Sequence, residues 1–396
     1  MTITPSTFSL LSTRQTQVTA RLTGSRPRPG KYDGFVVISG GAADLRIPYS
    51  YFVGDGTPWN MYSISGGTFD AIPGYVYSGI LMKIIDRFGV PVAGVAVRGT
   101  VTSGDGKITF ANEKTDDLGI AEASFQAGSD IGKQVVRFTA GSLFAEFVAN
   151  VFPRPAISTD GVRDAASGEL PDGFSAGQYI SIYGSALSST FKVFSGSELP
   201  PSLARVSVSF DNPSQRVSAA GRLHFTSNGQ VNVQIPWECN GLATVEMKVS
   251  IGEFSSTVQT LKLRNANPAP FEYVESGTNR RYASALDGSF LLISTNNPAR
   301  RGQVLQLFVN GLGPVDYTPG NGQISPSDPL ARTTAIPEVK IGGKVAQVLF
   351  SGLAPRIVGL YQLNVIVPAD SPTGTDVDLA IQQSGATSRT SRLPVQ

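Results

Sequence analysis

Apolar and polar residues alternate in short runs from one end of the chain to the other. Gly34-Phe-Val-Val-Ile, Val95-Ala-Val-Arg-Gly-Thr-Val, Val135-Val-Arg-Phe, Val206-Ser-Val-Ser-Phe and Val304-Leu-Gln-Leu-Phe-Val are rich in β-branched and aromatic side chains. Gly, Pro, Asn and Asp separate them, and no stretch keeps a helical period for a useful length. A two-residue period broken by regular turns predicts half-buried strands, and strands in this number predict an all-β chain of sandwiches. Pro-containing seams near Gly54–Pro58, at Phe152-Pro-Arg-Pro and near Asn265–Pro270 divide it into 1–54, 55–153, 154–265 and 266–396.

An internal repeat links the last two segments. Gln230-Val-Asn-Val-Gln-Ile-Pro236 recurs as Gln362-Leu-Asn-Val-Ile-Val-Pro368, with Gln, Asn, Val and Pro at the same relative positions. Upstream, Gly177-Gln-Tyr-Ile-Ser-Ile-Tyr matches Gly302-Gln-Val-Leu-Gln-Leu-Phe, with Leu187 opposite Leu312. Val206-Ser-Val208 is aligned with Val339-Lys-Ile341 between these anchors. In a strand, successive side chains point to opposite faces. Val231, Val233 and Ile235, and their counterparts Leu363, Val365 and Val367, are therefore predicted to be core, with the intervening polar residues more exposed. Pro236 and Pro368 end their strands because proline cannot donate to a ladder.

Composition narrows the chemistry. Of 396 residues, 16 % are charged, below the roughly 25 % of an average soluble chain, so long helices with charged outer faces are not expected. A net charge of +2 supplies no long-range field for nucleic acid or an anionic membrane. The richest apolar stretch, Gly79-Ile-Leu-Met-Lys-Ile-Ile, falls short of a membrane span. One Cys cannot close an internal disulfide, and with one His it cannot furnish a His/Cys zinc site. The first residues show no basic segment followed by an apolar core. The Gly/Ser/Thr/Val-rich, nearly Cys-free texture is nevertheless that of extracytoplasmic β-modules, which suggests the C-terminal portion of something longer.

Three resemblances follow from particular residues. Gly343-Lys-Val-Ala-Gln-Val-Leu-Phe-Ser-Gly-Leu-Ala-Pro-Arg-Ile-Val-Gly-Leu-Tyr-Gln-Leu-Asn-Val-Ile-Val-Pro, with Asn297-Pro-Ala-Arg-Arg-Gly and Gly311-Leu-Gly-Pro-Val, resembles the C-terminal region of large secreted bacterial proteins. Those tails carry a tandem pair of IPT/TIG-like Ig-fold modules, and the family brings no catalytic residues to transfer. Asp86-Arg-Phe-Gly-Val-Pro-Val, followed by Thr115-Asp-Asp-Leu-Gly-Ile-Ala, is similar to a bacterial Ig-like domain of the invasin/intimin type. Pro29-Gly-Lys-Tyr-Asp-Gly-Phe-Val-Val-Ile with Leu45-Arg-Ile-Pro-Tyr resembles part of the fibronectin-III-like module of secreted subtilisin-like proteases. The protease nucleophile motif and its catalytic His and Asp are not among these residues, so activity does not transfer. The resemblances imply tandem Ig-like β-sandwiches: a partial fibronectin-III-like module over 1–54, an invasin-type domain over 55–153, and two IPT/TIG-like repeats over 154–265 and 266–396.

Each candidate for chemistry has a plainer reading beside it. His224, the sole imidazole, lies in Leu223-His-Phe225 without a recognisable nucleophile or orienting acid, so a packed or edge position is expected. Cys239, after a strand end, is either an incidental loop thiol or a residue for an intermolecular disulfide. Asp105, Asp116 and Asp117 could bind calcium through oxygen ligands, but turn-forming Asp is commoner and the spacing matches no calcium loop. Arg280-Arg281 and Arg300-Arg301 read as solvated rims, Gly66-Gly67 and Gly342-Gly343 as turns. Trp59, Trp237 and the Tyr49/Tyr51 pair could form a sugar-stacking platform, against which core packing is the default. No catalytic, cofactor-binding or metal-binding residue is assigned, and no cofactor is expected. The expected function is a non-catalytic extracellular scaffold for adhesion, spacing or surface interaction, a monomeric string of domains whose partner is a protein or cell-surface glycan. The alternative is an accessory region of a secreted hydrolase, most plausibly a subtilisin-like protease whose catalytic domain lies elsewhere.

Overall fold

The computed structural model describes residues 1–10, 14–41 and 43–396. The chain is all-β: among the described residues the helical turns are two single 3-10 turns, Pro213–Gln215 and Trp237–Cys239. It divides into two compact units, Met1–Pro153 and Arg154–Gln396.

In the first unit, Asn60–Ser63, Val76–Ile85, Ile120–Gln126 and Lys107–Ala111 form one four-stranded sheet in that order. Thr68–Ala71, Leu143–Val151, Gly132–Ala140 and Arg98–Ser103 form the other, with Thr68–Ala71 pairing in parallel at the edge. Alternation places Ile80, Met82 and Ile84 on the inner face, where they meet Phe125 of the same sheet and Phe138 and Phe147 of the opposite one. Lys83 stays on the outer face, which is why this apolar run folds as one strand of a sandwich. Thr2–Thr4 pairs with Thr19–Arg21, and Gly30–Ile38 with Leu45–Val53, as separate two-stranded ribbons. Neither ribbon joins the clustered core of the sandwich, whose first member is Met61, although Val53 at the end of the second ribbon is buried.

The second unit holds two sandwiches of one design. In the first, Ala156–Asp164, Tyr179–Ser185, Gln230–Gln234, Arg222–Thr226 and Lys192–Val193 form one sheet. The facing sheet is built on Val206–Asn212 and Thr244–Ile251. In the second sandwich, Val304–Asn310 and Tyr361–Ile366 take the first role, Glu338–Ile341 and Gly374–Gln383 the second. The ten-residue strand Lys344–Leu353 passes between them, pairing with Glu338–Ile341 at its start and Tyr361–Ile366 at its end.

The ladders register alike. Tyr179, Ser181 and Tyr183 face Gln234, Asn232 and Gln230, while Val304, Gln306 and Phe308 face Ile366, Asn364 and Gln362. Gln230 Nε2 donates to Asn232 Oδ1 at 2.7 Å, and Gln362 Nε2 to Asn364 Oδ1 at 2.8 Å. A serine clip recurs as well: Val249 N donates to Ser256 Oγ at 3.1 Å, and Ile381 N to Ser388 Oγ at 3.0 Å. Because Val249 faces Val208 and Ile381 faces Val339, this clip pairs Val208 with Val339. The sequence alignment of Val206 with Val339 is therefore off by two residues, one full pleat, and the slip leaves the inward face unchanged.

Val231, Val233, Ile235, Leu363, Val365 and Val367 are all fully buried, as their alternation predicts. Gln234 departs from the pattern and is buried too. Its Oε1 accepts from Gly322 N at 3.0 Å and its Nε2 donates to Gly177 O at 3.3 Å, so it serves the joint between the sandwiches instead of solvent.

Candidate functional site

His224 is exposed at a β-bulge between Leu223 and Phe225. The second sandwich carries the same bulge between Val348 and Phe350, with exposed Leu349 in its place. A leucine at the equivalent position identifies the bulge as a feature of the fold, indifferent to imidazole chemistry. Cys239 is not in an open loop: it is 1 % exposed and belongs to the core of the first sandwich. Burial, with the Glu238 and Asp211 charges behind it, pushes its thiol up to about 12, so it is protonated and unreactive at neutral pH.

The three aspartates do not converge. Asp105 Oδ2 accepts from Ser129 Oγ at 2.6 Å and Ser129 N at 2.7 Å, while Oδ1 accepts from Asp130 N at 3.0 Å. These bonds hold its carboxyl at about 2 and tie the Ser103–Lys107 turn to the loop beside it. Asp116 Oδ1 accepts from Leu118 N at 2.9 Å and Ile120 N at 2.8 Å, a turn closed on itself. No group of three or more His, Cys, Asp or Glu side chains is placed to hold a metal ion among the described residues. Asp86, which the sequence marked only as part of a motif, is buried. Burial raises its carboxyl, but backbone N–H groups of Val90, Phe88, Gly56 and Asp55 prevail and hold it below the ordinary range.

The basic pairs sit on the surface: Arg280 Nη1 reaches Asp376 Oδ2 at 3.1 Å, and Arg301 Nε donates to Ser371 O at 2.7 Å. Gly66, Gly342 and Gly343 have positive φ, as turn positions require. Tyr51 stacks on Tyr32 at 5.3 Å and lies 6.4 Å from Tyr49, all on one face of the Gly30–Val53 ribbon. Trp59 is 68 % exposed in the same unit. Trp237 belongs to the second unit and packs against both of its cores.

A buried polar constellation lies at the joint between the two sandwiches of the second unit. Asp164, 1 % exposed at the end of its strand, accepts five hydrogen bonds. Oδ1 takes Ser167 N at 2.7 Å, Ala166 N at 2.8 Å and Ser167 Oγ at 3.1 Å. Oδ2 takes Gln178 Nε2 at 2.6 Å and, from the other sandwich, Asn310 Nδ2 at 2.9 Å. Burial pushes this carboxyl up from the ordinary range, and the donors pull against it. Asn310 also brackets the backbone of one residue, accepting from Tyr179 N at 3.0 Å and donating to Tyr179 O at 2.8 Å.

Further bonds complete the joint. Tyr179 OH donates to Val358 O at 3.1 Å, and Trp237 N to Asn321 Oδ1 at 2.8 Å. Arg389 bridges Glu272, which is nearly buried, to Glu169 of the first sandwich. Glycine is required where the backbones meet: a Cβ on Gly311, at φ +70°, would lie 2.2 Å from Asn267 O and 3.2 Å from Gln178 Oε1. Most donors and acceptors here are matched, although the buried Nε1 of Trp237 has no hydrogen-bond partner, and the bonded groups tie the two sandwiches together.

Sequence reasoning missed Asp164, and its counterpart was equally hidden. Asp287 Oδ1 accepts from Ser289 N at 2.9 Å and Leu291 N at 3.0 Å. Asp164 faces Ile180, and the strand Ala285–Leu286 runs Asp287 to the matching place beside Leu305. The recurrence of an Asp-anchored turn just before each Gly-Gln anchor was the available signal.

Fold and site together define a chain of tandem β-sandwiches of Ig-like layout with a buried polar joint. No family model matches the chain, and no curated protein matches it. Among solved structures it is similar to the Escherichia coli adhesin FdeC, at 11 % identity and TM-score 0.22 over 85 % of this chain and 96 % of that one. It is also similar to domains 4–9 of the surface-layer protein SbsC, at 12 % identity and TM-score 0.23, covering 92 % of this chain and 54 % of that one. The I9–I11 tandem of titin matches at 11 % identity and TM-score 0.20 over 85 % and 97 % of the two chains. The paired sheets and the cores between them define the sandwiches.

Proposed function

We propose that the chain is a non-catalytic extracellular scaffold of serial β-sandwiches, a spacer or surface-interaction region of a secreted bacterial protein. Its layout is a partial module over 1–54, a sandwich over 55–153, and the duplicated pair over 154–265 and 266–396. The observation that carries this reading is the joint. The buried polar groups around Asp164 are committed to one another across two sandwiches, which stiffens the pair and leaves no reactive group free. The Cys-poor texture and the buried, protonated thiol of Cys239 suit an oxidising exterior. Nothing in the geometry favours the accessory role beside a protease.

The test is a screen of the purified intact chain against protein and polysaccharide substrates. No turnover is expected. Turnover that survives purification and disappears when one Asp or Glu is changed to Ala overturns the proposal.

A further inference from the structure

An open-sided cleft of about 280 Å³ lies in the second sandwich of the second unit, between the 317–327 loop and the turn at Arg356. Tyr317 and Arg356 are exposed at its lining, with Gln323 and Ser327 beside them and Pro319 and Pro326 in the walls. No acidic residue lines it. The Arg356 guanidinium has no ion-paired or hydrogen-bonded partner among the described residues, although ion pairs elsewhere among them show that surface carboxylates are readily engaged.

The cleft is built to hold its shape. Arg356 N donates to Ser325 O at 2.9 Å, and the buried Ser325 returns its hydroxyl to Ile357 O at 2.9 Å. Gly322 N is bonded to Gln234 at 3.0 Å and Asn321 to Trp237 N at 2.8 Å, so the loop is pinned to both sandwiches. Arg356 itself is held at φ +64°, a left-handed conformation that L-residues adopt only when the surroundings impose it. A strained, unpaired cation at the lip of a fixed cleft is the kind of outlier from which a binding role is inferred.

We propose that this cleft binds one hexuronate residue of an acidic polysaccharide. A guanidinium recognises a carboxylate through two parallel hydrogen bonds. A tyrosine face offers the apolar side of a pyranose a stacking surface, and the Gln323 amide and Ser327 hydroxyl suit ring hydroxyls. The volume lies just under the roughly 300–1,000 Å³ of sites for drug-sized ligands, which fits one ring. The open side lets a polymer continue in both directions. A peptide added as a strand needs a free strand edge, and the residues that line this cleft lie in loops and turns. The proposal stands apart from the scaffold reading, since a cleft on a catalytic or a structural chain would bind alike.

The test measures binding of the intact chain to polygalacturonate and alginate, with neutral galactan as control, by calorimetry at physiological salt. Retention of an acidic polymer but not galactan is expected. Tyr317→Ala and Arg356→Gln should each weaken it about tenfold or more, the loss that accompanies removal of a charge-assisted contact. Arg356→Lys should recover part of the affinity. Both side chains are exposed, and an unchanged melting temperature shows that the variants fold. Chemical-shift changes confined to the 317–327 loop and Arg356 on adding galacturonate support the site even if one variant fails to fold. No binding of either acidic polymer, equal binding of galactan, or binding that neither variant alters overturns the proposal.

Discussion

Replacing Asn310 by Ala removes three hydrogen bonds from the centre of the joint: two to the Tyr179 backbone and one to Asp164. Asn310 is fully buried, so the Tyr179 N–H and one side of the Asp164 carboxylate lose a partner away from solvent. A buried donor or acceptor left unpaired costs about 1–3 kcal/mol, and more for a charged group. A water entering the vacated space restores part of this, which leaves a net loss of about 3–5 kcal/mol. With a urea slope of about 2–3 kcal/mol/M, the unfolding midpoint of residues 154–396 should fall by about 1–2 M. Tryptophan fluorescence reads the joint directly through Trp237, while circular dichroism follows the sheets. Asn310→Asp should be worse at neutral pH, because it sets a second carboxylate against Asp164, and acid should relieve it. A midpoint unchanged in Asn310→Ala would refute the view that this side chain locks the two sandwiches.

Three further outcomes are expected. Phe290 is 70 % exposed at φ +61°, where the first sandwich has Gly168 at φ +72°, so Phe290→Gly should stabilise the chain by about 0.5–1 kcal/mol in a melting experiment. A comparable loss would show instead that the ring makes contacts that matter. Asp105 titrates at about 2 in the folded chain against an ordinary 3.8, so the stability it contributes is complete above 3.8 and lost as pH falls towards 2. Asp105→Asn should flatten that acid limb of the stability profile, and an unchanged limb counts against the linkage. Val365→Asp should unfold the second sandwich of the pair, since an unpaired carboxylate in its core costs several kcal/mol, and an unaltered melting curve would contradict the core assignment.

Alternation made the strands legible because burial on one face imposes a period of two on the sequence. The repeated Gln, Asn and Pro exposed the duplication because the same ladder positions and the same Gln–Asn side-chain bond recur in each copy. The joint was not legible in this way. Asp164 and Asp287 share a role, but their turns differ by one residue, and Asn310 replaces the Ser185 of the first copy. Gln234 follows the outward phase of its strand and was expected to face solvent, yet outward from one sandwich is inward to the joint. A period of two reports only which face a side chain takes. Tyr317 and Arg356 are distant in sequence and line one cleft through loop geometry, which periodicity does not encode.

Residue-resolved hydrogen exchange of the Tyr179 amide tests the locked joint most directly. This N–H is bonded to the Asn310 side chain of the neighbouring sandwich. If the joint holds the pair as one body, the amide exchanges only through global unfolding, with the same free energy as the core amides of Val233 and Val365. Exchange of the Tyr179 amide at a much lower free energy, while those core amides remain protected, would show that the sandwiches part freely and would contradict the account.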